Sequence, residues 1–559
     1  MGSDDHLVLG LRRARGGIPL DIDGWSILTS AAAAALVGLG LLLGWRGVDL
    51  PAQLYRVAVA RSNGITLWDS QWYGGHWTLN YSVLFPVTAA FVGVGVLSVL
   101  CAAAAAMAFD RLVVGLLGRS GRLASATFAV SVIVETSIGQ LAFFCGEALA
   151  LWCMVAASRR RWWVAGVLAV AASLASPLAG AFAAIGLVAW CASTALSSLA
   201  ASDRPTITAR RLLQAMPLPV LGVAASAAAP IVATAVLFPG QGDMPYPAVD
   251  WVWEVVVAGI LWILMPGAHR VLRTGIAVYV AAATLSFAVP SPVGGNVGRL
   301  EDCLALPLAV AACWDRSRSG RPLERLRRVG QHPRKVLAVV AIPLAVSQWS
   351  PAWGALTANA ARPSTHRAYY APVVAWLEHQ PGPAARAEVV PTADHWEAAY
   401  VAPSVPLARG WERQLDIADN PIFYTPGALT AATYASWLHT NGVRYVALSN
   451  APLDYAGVAE AALVDAGVPG LALVWHNASW RIYRLDGGDG IVSGPARLTA
   501  MDGGHLRLEV FRPGPILVRV HWSANWQVAA GDAILSPAPD GWMTVLASGP
   551  GAVVLHVGL

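Results

Sequence analysis

The chain has 559 residues, 56% of them hydrophobic and 13% charged, and its mean hydropathy is +0.54. About a quarter of the residues in an ordinary soluble protein are charged, so an all-soluble chain is excluded and lipid must solvate much of this apolar surface. Basic residues exceed acidic ones by 9 in residues 1–356 and fall 4 short in 357–559, so a membrane half precedes a water-soluble half and the formal +5 is no sign of nucleic-acid binding.

In chain order, eleven apolar stretches are expected to span the membrane: 25–45, 83–108, 122–138, 141–157, 162–176, 178–199, 213–238, 251–268, 274–290, 302–314 and 336–356. Most approach the length that crosses a hydrocarbon core of about 30 Å at about 1.5 Å per residue. The first is expected to be a span and not a cleaved signal, because no clean cleavage site follows it. With the N-terminus inside, the inner connections and their flanks carry 22 basic residues and the short outer ones carry 4. That is the positive-inside pattern, and an odd number of spans then places the C-terminal half outside the cell. Lys335 is the sole lysine, and the Ala-, Arg-, Gly- and Val-heavy usage suits a GC-rich bacterial genome and a bacterial plasma membrane. All six cysteines lie in the first half without CxxC or Cys/His spacing, which excludes a disulfide framework, redox chemistry and structural zinc.

The outer connection 46–82 is long and rich in Trp, Tyr, Asp, Arg and His. Asp49 before Leu50-Pro51 reads as a helix N-cap, and the helix that follows is expected to lie on the outer membrane surface. Trp68-Asp69-Ser70-Gln71-Trp72-Tyr73-Gly74-Gly75-His76 is too polar and glycine-broken for a span. The soluble half begins as a small α/β unit (357–488), with strands in AEVVPT, RYVALS and LALVWHNASWRIYRL. From 489 it turns into short alternating strands expected to form a β-sandwich.

Several residues are candidates for chemistry. Asp49 stands just after the first span, beside Arg46 and Arg56; its carboxylate suits a general base and the guanidinium groups suit phosphate. The alternative is a helix cap paired with arginine. Asp69 shares its stretch with Trp72 and Tyr73, which can stack on a sugar or anchor at the interface, and with His76, which can bind phosphate or move a proton. Glu135 and Glu147 lie inside apolar spans, where an ionisable group costs roughly 2.5–3.5 kcal/mol and faces a cavity or a partner. Arg299, in the GGNVGRLED loop, offers a phosphate contact or pairs with Glu301 or Asp302; the loop is no P-loop, since no GK[ST] follows. The basic run 316–335 reads as a topology determinant in contact with anionic lipid.

Asp49 after the first span, the long loop 46–82 and the outward soluble half together resemble the GT-C superfamily of integral-membrane glycosyltransferases. VDLPAQLYR, LWDSQWYGGHWTLNYSVLFP and the tail WLHTNGVRYVALS are also similar to segments of YfhO-like bacterial membrane proteins. The resemblance implies transfer of a sugar from a polyprenyl-phosphate donor to an envelope glycan or glycolipid acceptor, with Asp49 as base and Asp69 second. It also implies that Arg56 and Arg299 offset phosphate charge and that Trp72, Tyr73, His76 and Glu147 line the substrate site; for Trp522 and Trp526 acceptor-glycan contact stands against core packing, which is the commoner role for either alone. The resemblance makes no cofactor certain: some members need a divalent cation, which Asp49 and Asp69 could share, and others do not. Membrane lipids are partners and nucleic acid is not. Two features depart from the family: the loop acid is single, and the soluble half has no WWDYG-type motif. A transporter or flippase served by Glu135 and Glu147, or a non-catalytic envelope scaffold, are the alternatives; the inverted repeats of a transporter are not detected.

Overall fold

The computed structural model describes residues 23–200, 210, 215–240, 242–319, 333–359 and 362–558, with backbone alone at 200, 315–319, 333–338, 351 and 356–359. The basic residues expected inside at 1–22, 201–209, 211–214 and 320–332 lie outside the described residues. The chain forms two compact units. One comprises Met1–Trp45, Tyr81–Leu237 and Met244–Leu356; the other comprises Arg46–Asn80, Phe238–Asp243 and Thr357–Leu559.

The first unit is helical. Each expected apolar stretch corresponds to a helix, among them Gly24–Leu42, Gly121–Ile138, Leu141–Ser158, Trp162–Ala175, Pro177–Ala200 and Leu218–Leu237. The stretch 83–108 is instead two helices, Leu84–Val92 and Val94–Leu117, because Gly93 at φ +91° takes a conformation that breaks helical hydrogen bonding. Among the described residues six stretches are long and apolar enough to cross a membrane, the mark of a multi-pass membrane protein. Helix Trp162–Ala175, at 14 residues, covers only about 21 Å. Small residues set the packing: Ala102, Ala105, Ala106, Ala165, Ala169 and Ala172 are fully buried. A Cβ added at Gly146 would stand 2.7 Å from that of Ala179, so these backbones approach closely, as small residues permit between membrane helices.

The second unit has two halves. In the α/β half, strands β1 (Arg386–Val389), β2 (Val443–Ser449), β3 (Leu471–His476) and β4 (Trp480–Leu485) form a sheet of order β1-β2-β4-β3, with β1 and β2 parallel. Helices Ala431–Thr440 and Tyr455–Ala466 pack on one side through Tyr434, Leu438, Ala461 and Val464. In the sandwich half, one sheet has the strand order Ala533–Pro537, Trp542–Ala547, Gly514–His521, Val492–Ser493, and the other Trp526–Ala530, Gly551–Val557, His505–Val510, Ala496–Asp502. Its core is built by strict alternation, as in His505–Val510, where Leu506, Leu508 and Val510 point inward.

The loop 46–80 departs from expectation. It is not a surface helix on the membrane but part of the second unit's core. Helix Leu50–Asn63 packs Ala52 and Tyr55 against Tyr370, Trp396 and Trp480, whereas an amphipathic helix on lipid would have no protein partner there. A short hairpin follows, pairing Trp68 with Trp77 and Asp69 with His76. Trp68 and Trp77 enter the sandwich core, and Trp72 and Tyr73 at the hairpin tip enter the α/β core, so one hairpin joins both halves. Backbone bonds secure it: Leu407 N–H donates to the Gln71 carbonyl at 2.8 Å and His521 N–H to the Gly74 carbonyl at 2.9 Å. Gly75, at φ +118°, has no room for a side chain, because a Cβ there would meet the indole of Trp68 at about 2.5 Å.

Candidate active site

The second unit holds Asp49, Arg56, Asp69, Trp72, Tyr73 and His76; the first holds Glu147 and Arg299. Asp49 occupies the N-cap position of helix Leu50–Asn63, and Pro51 follows in the first turn. Its side chain makes no capping hydrogen bond, since its backbone is helical (φ −84°, ψ −15°) and not in the extended form that aims a cap at N–H groups. The residue is half-buried, and its carboxylate is not held by a cap bond at the helix end. One residue earlier, the Val48 carbonyl accepts the Trp411 Nε1–H at 2.7 Å. Arg46 donates to the Thr365 carbonyl at 2.7 Å and to the Tyr400 hydroxyl at 3.1 Å.

Behind Trp411 lies a group that sequence reading missed. His395 stacks on the Trp411 indole with centroids 3.5 Å apart and planes 8° apart. It is buried at φ +53°, a region that non-glycine residues seldom enter. Its Nδ1 lies 3.4 Å from Glu397 and its Nε2 3.3 Å from Asp454. Arg413 forks onto the same Asp454 at 3.1 and 2.8 Å, with its guanidinium 4.9 Å from the Trp411 ring centroid and 4.6 Å from that of Tyr455. Burial raises Asp454, but hydrogen bonds from His395 and Arg413 overcome it and hold the carboxyl below the usual range. Burial opposes charge on His395, yet Asp454 and Glu397 prevail and raise the imidazole. The signal in the sequence is ADHWE directly after a strand, with WERQLD some 15 residues on; neither run has a motif spacing.

The raised His395 gives a pH prediction. Its folded pKa lies above the unfolded value of about 6.5, so its contribution to stability is complete below about 6.5 and is lost as pH rises through the folded value. Thermal unfolding of the purified chain, followed by proteolysis within 357–559, is expected to show stability falling through this alkaline window. His395→Asn, which tolerates positive φ, flattens that fall. Identical pH slopes for the two proteins would count against the assignment.

The other loop residues are placed differently from expectation. Asp69 is buried, accepting the Tyr55 hydroxyl at 2.6 Å and the Gln71 N–H at 3.0 Å; burial raises its pKa despite those bonds and Arg56. With both oxygens engaged away from solvent, Asp69 does not fit a shared divalent cation, and among the described residues no three His, Cys, Asp or Glu side chains gather as a metal site. Arg56 is spent on Glu412 at 2.5 Å inside the protein, so the phosphate role expected for it is corrected: its charge is already neutralised. Trp72 and Tyr73 are also corrected as sugar platforms. Tyr55 stacks on Trp72 at 4.2 Å, His76 lies parallel to it at 5.8 Å, and no ring face reaches solvent. Tyr73 is enclosed too, with its hydroxyl bonded to the backbone of Glu412. Burial, then Arg56, pushes His76 down to about 3, so it is neutral and no cationic phosphate ligand. Trp526 belongs to the sandwich core and Trp522 packs against it, which leaves acceptor contact by Trp526 without an exposed face.

In the first unit, Gly294–Gly298 forms a short 3-10 turn leading into helix Arg299–Ser319. The Arg299 guanidinium lies 5.6 Å from the Phe143 ring, one turn before Glu147 on helix Leu141–Ser158. Cys303, one turn after Arg299, donates its Sγ–H to Glu135 at 3.5 Å, and Glu147 has Glu135 and Cys303 as electrostatic neighbours. Glu254 accepts the hydroxyls of Tyr279, at 3.0 Å, and Tyr246. Glu301 and Asp302 are close enough to feel its charge. The structure thus brings Arg299, Glu135 and Glu147 together and adds Glu254, which the sequence did not single out.

A helical multi-pass unit joined to a β-rich unit that borrows the first long connection defines the class. The fold was compared with solved structures and is similar to the arabinofuranosyltransferase AftD from mycobacteria, with a TM-score of 0.44 and 18% identity over 89% of this chain and 42% of that chain. Structures of a variant of the same protein give TM-scores of 0.45 and 0.46 at 19% identity, covering 89% and 88% of this chain and 43% and 42% of theirs. The chain thus spans less than half the length of the solved chains it matches. It matches no protein-family model and no curated protein sequence.

Proposed function

We propose that the protein is a membrane glycosyltransferase of GT-C type, using a polyprenyl-phosphate sugar and an envelope glycan or lipid acceptor at the outer face of a bacterial plasma membrane. The observation that carries this reading is the position of Asp49: an acid on a half-buried residue at the N-cap of helix Leu50–Asn63, a few residues after an apolar helix long enough to cross the membrane. In the step assigned to it, Asp49 takes the proton of an acceptor hydroxyl. The acceptor oxygen bonds to the anomeric carbon, the bond from that carbon to the phosphate oxygen breaks, and polyprenyl phosphate leaves with the electron pair, inverting the centre. Arg299, with Glu147 nearby, is the membrane-unit group assigned to lipid-borne phosphate. An orientation with the N-terminus inside follows from the arginine distribution.

The test is transfer from radiolabelled polyprenyl-phosphate sugars by the purified chain in lipid, wild type against Asp49→Asn. Donor consumption with label appearing in a larger product supports the reading; an inert wild type with every donor class overturns it. A second reading has one observation in its favour, the acids Glu135, Glu254 and Glu301, buried in the membrane unit with the half-buried Glu147 beside Glu135, which suit proton-coupled transport. Uptake of intact substrate into proteoliposomes, without covalent change, would select it.

A further inference from the structure

The transferase reading makes no use of a groove between helices Trp162–Ala175 and Leu218–Leu237. It has a volume of about 530 Å³, with walls from Trp162, Trp163, Val167 and Val223 and a floor at Gly166 and Gly222. A Cβ at Gly222 would meet nothing within 4 Å, and one at Gly166 only the Ser226 side chain at 3.5 Å, so the trough is real space and not a tight helix crossing. Its lining is almost wholly apolar. The Ser226 hydroxyl, its one polar side chain besides the indoles, already donates to the Gly222 carbonyl at 3.0 Å. Water needs two to four polar partners to stay in such a space, so hydrocarbon fills it. Trp163 and Val167 stand exposed along the rim, as residues facing lipid do.

One end of the groove is cationic. The chain reaches it through Arg159-Arg160-Arg161, a turn in which Arg160 takes φ +57° and Arg160 and Arg161 are exposed, and Trp162 opens the helix directly after. Trp162 and Met216 pack against one apolar cluster, so the second helix starts at the same level. Paired tryptophans beside arginines mark the level of lipid headgroups, and basic pockets between membrane helices bind anionic ones.

We propose that this groove binds an anionic phospholipid, with one acyl chain in the trough and the phosphate at the Arg159–Arg161 turn. Charge and shape both select this occupant, since a neutral lipid offers the exposed Arg160 and Arg161 no anion and a soluble anion leaves the trough empty.

The experiment is native mass spectrometry of the full chain released from nanodiscs of phosphatidylcholine with a minor share of phosphatidylglycerol. Wild type is expected to retain phosphatidylglycerol over phosphatidylcholine by roughly 25-fold, since each of the two exposed arginines, Arg160 and Arg161, favours an anionic lipid by about fivefold. Gly222→Leu fills the trough and loses both lipids. Arg160→Gln with Arg161→Gln, at exposed positions that leave the fold untouched, keeps lipid but loses the headgroup preference. Retention in the bulk lipid ratio, retention unchanged by Gly222→Leu, or displacement by polyprenyl phosphate but not by phosphatidylglycerol would each overturn the proposal. None of these readouts depends on transferase activity.

Discussion

Asp49→Asn is expected to lower sugar transfer by about 10²–10⁴-fold, the range in which a positioned general base acts. Asparagine is as good an N-cap residue as aspartate and has nearly its shape, so stability changes within about 0.5 kcal/mol. The control is Asp69→Asn. An amide oxygen at position 69 still accepts the Tyr55 hydroxyl, and Asp69 is sealed from solvent, so this variant keeps its activity. Loss of transfer in Asp69→Asn together with retention in Asp49→Asn would move the base to Asp69. Retention in both would remove the loop acids from the chemistry altogether. The readout is product formed per folded protein, with folding checked by unchanged elution and melting.

Arg409→Met is expected to have the largest effect on stability. Arg409 is buried beneath the α/β sheet and is the cation for three acids: Asp416 at 2.6 Å, Glu460 at 3.0 Å and Glu388 at 3.9 Å. Neighbours hold those acids in place: the Tyr434 hydroxyl donates to Glu460 at 2.8 Å, Asn420 to Asp416 at 3.0 Å, and Tyr424 to Asp416. Burial raises Glu388, and Glu460 adds to that, while Glu460 itself is pushed up to about 7 by burial against the pull of Arg409. Removing one partner from such a buried group typically costs about 3–5 kcal/mol, because charge is left unmatched in a poor solvent for it. Thermal unfolding of the second unit measures this, and a loss below about 1 kcal/mol would show that the acids are already neutral without arginine. The deficit also has a pH sign. Without Arg409 the acids titrate above their unfolded values, so the cost vanishes when they are protonated and grows as pH rises through the raised folded values. The variant should therefore approach wild type near pH 5 and fall furthest behind near pH 8.

Much of this protein was legible one residue at a time. The apolar stretches announce helices because any segment in lipid must satisfy its own backbone hydrogen bonds, and only a helix does so locally. The alternation in HLRLEV and its neighbours announces sandwich strands for the same local reason, since side chains on a strand point to opposite faces in turn. Asp49 was legible as a helix-start residue because Leu50-Pro51 follows it.

The aromatic loop shows where such reading stops. Trp68, Trp72, Tyr73, Trp77 and His76 carry the residue types of a sugar site, and types alone do not distinguish a ring offered to ligand from a ring closing a core. Burial decides, and burial depends on strands nearly 300 to nearly 500 residues away, such as those bearing Met543 and Val553, and on Tyr370 and Trp480. Arg56 likewise looks available for phosphate until Glu412, 356 positions along the chain, takes its charge. His395 and Arg409 were invisible for the converse reason: their partners Asp454 and Glu460 lie 59 and 51 residues away, at no spacing that a motif could register. Local composition and periodicity by themselves determined the helical membrane unit, the strands and the helix that starts at Asp49, because those depend on neighbours in sequence. Which charged and aromatic groups are neutralised, enclosed or left to act was decided only by the tertiary structure, because the free energy of a charge or a ring depends on what surrounds it in space.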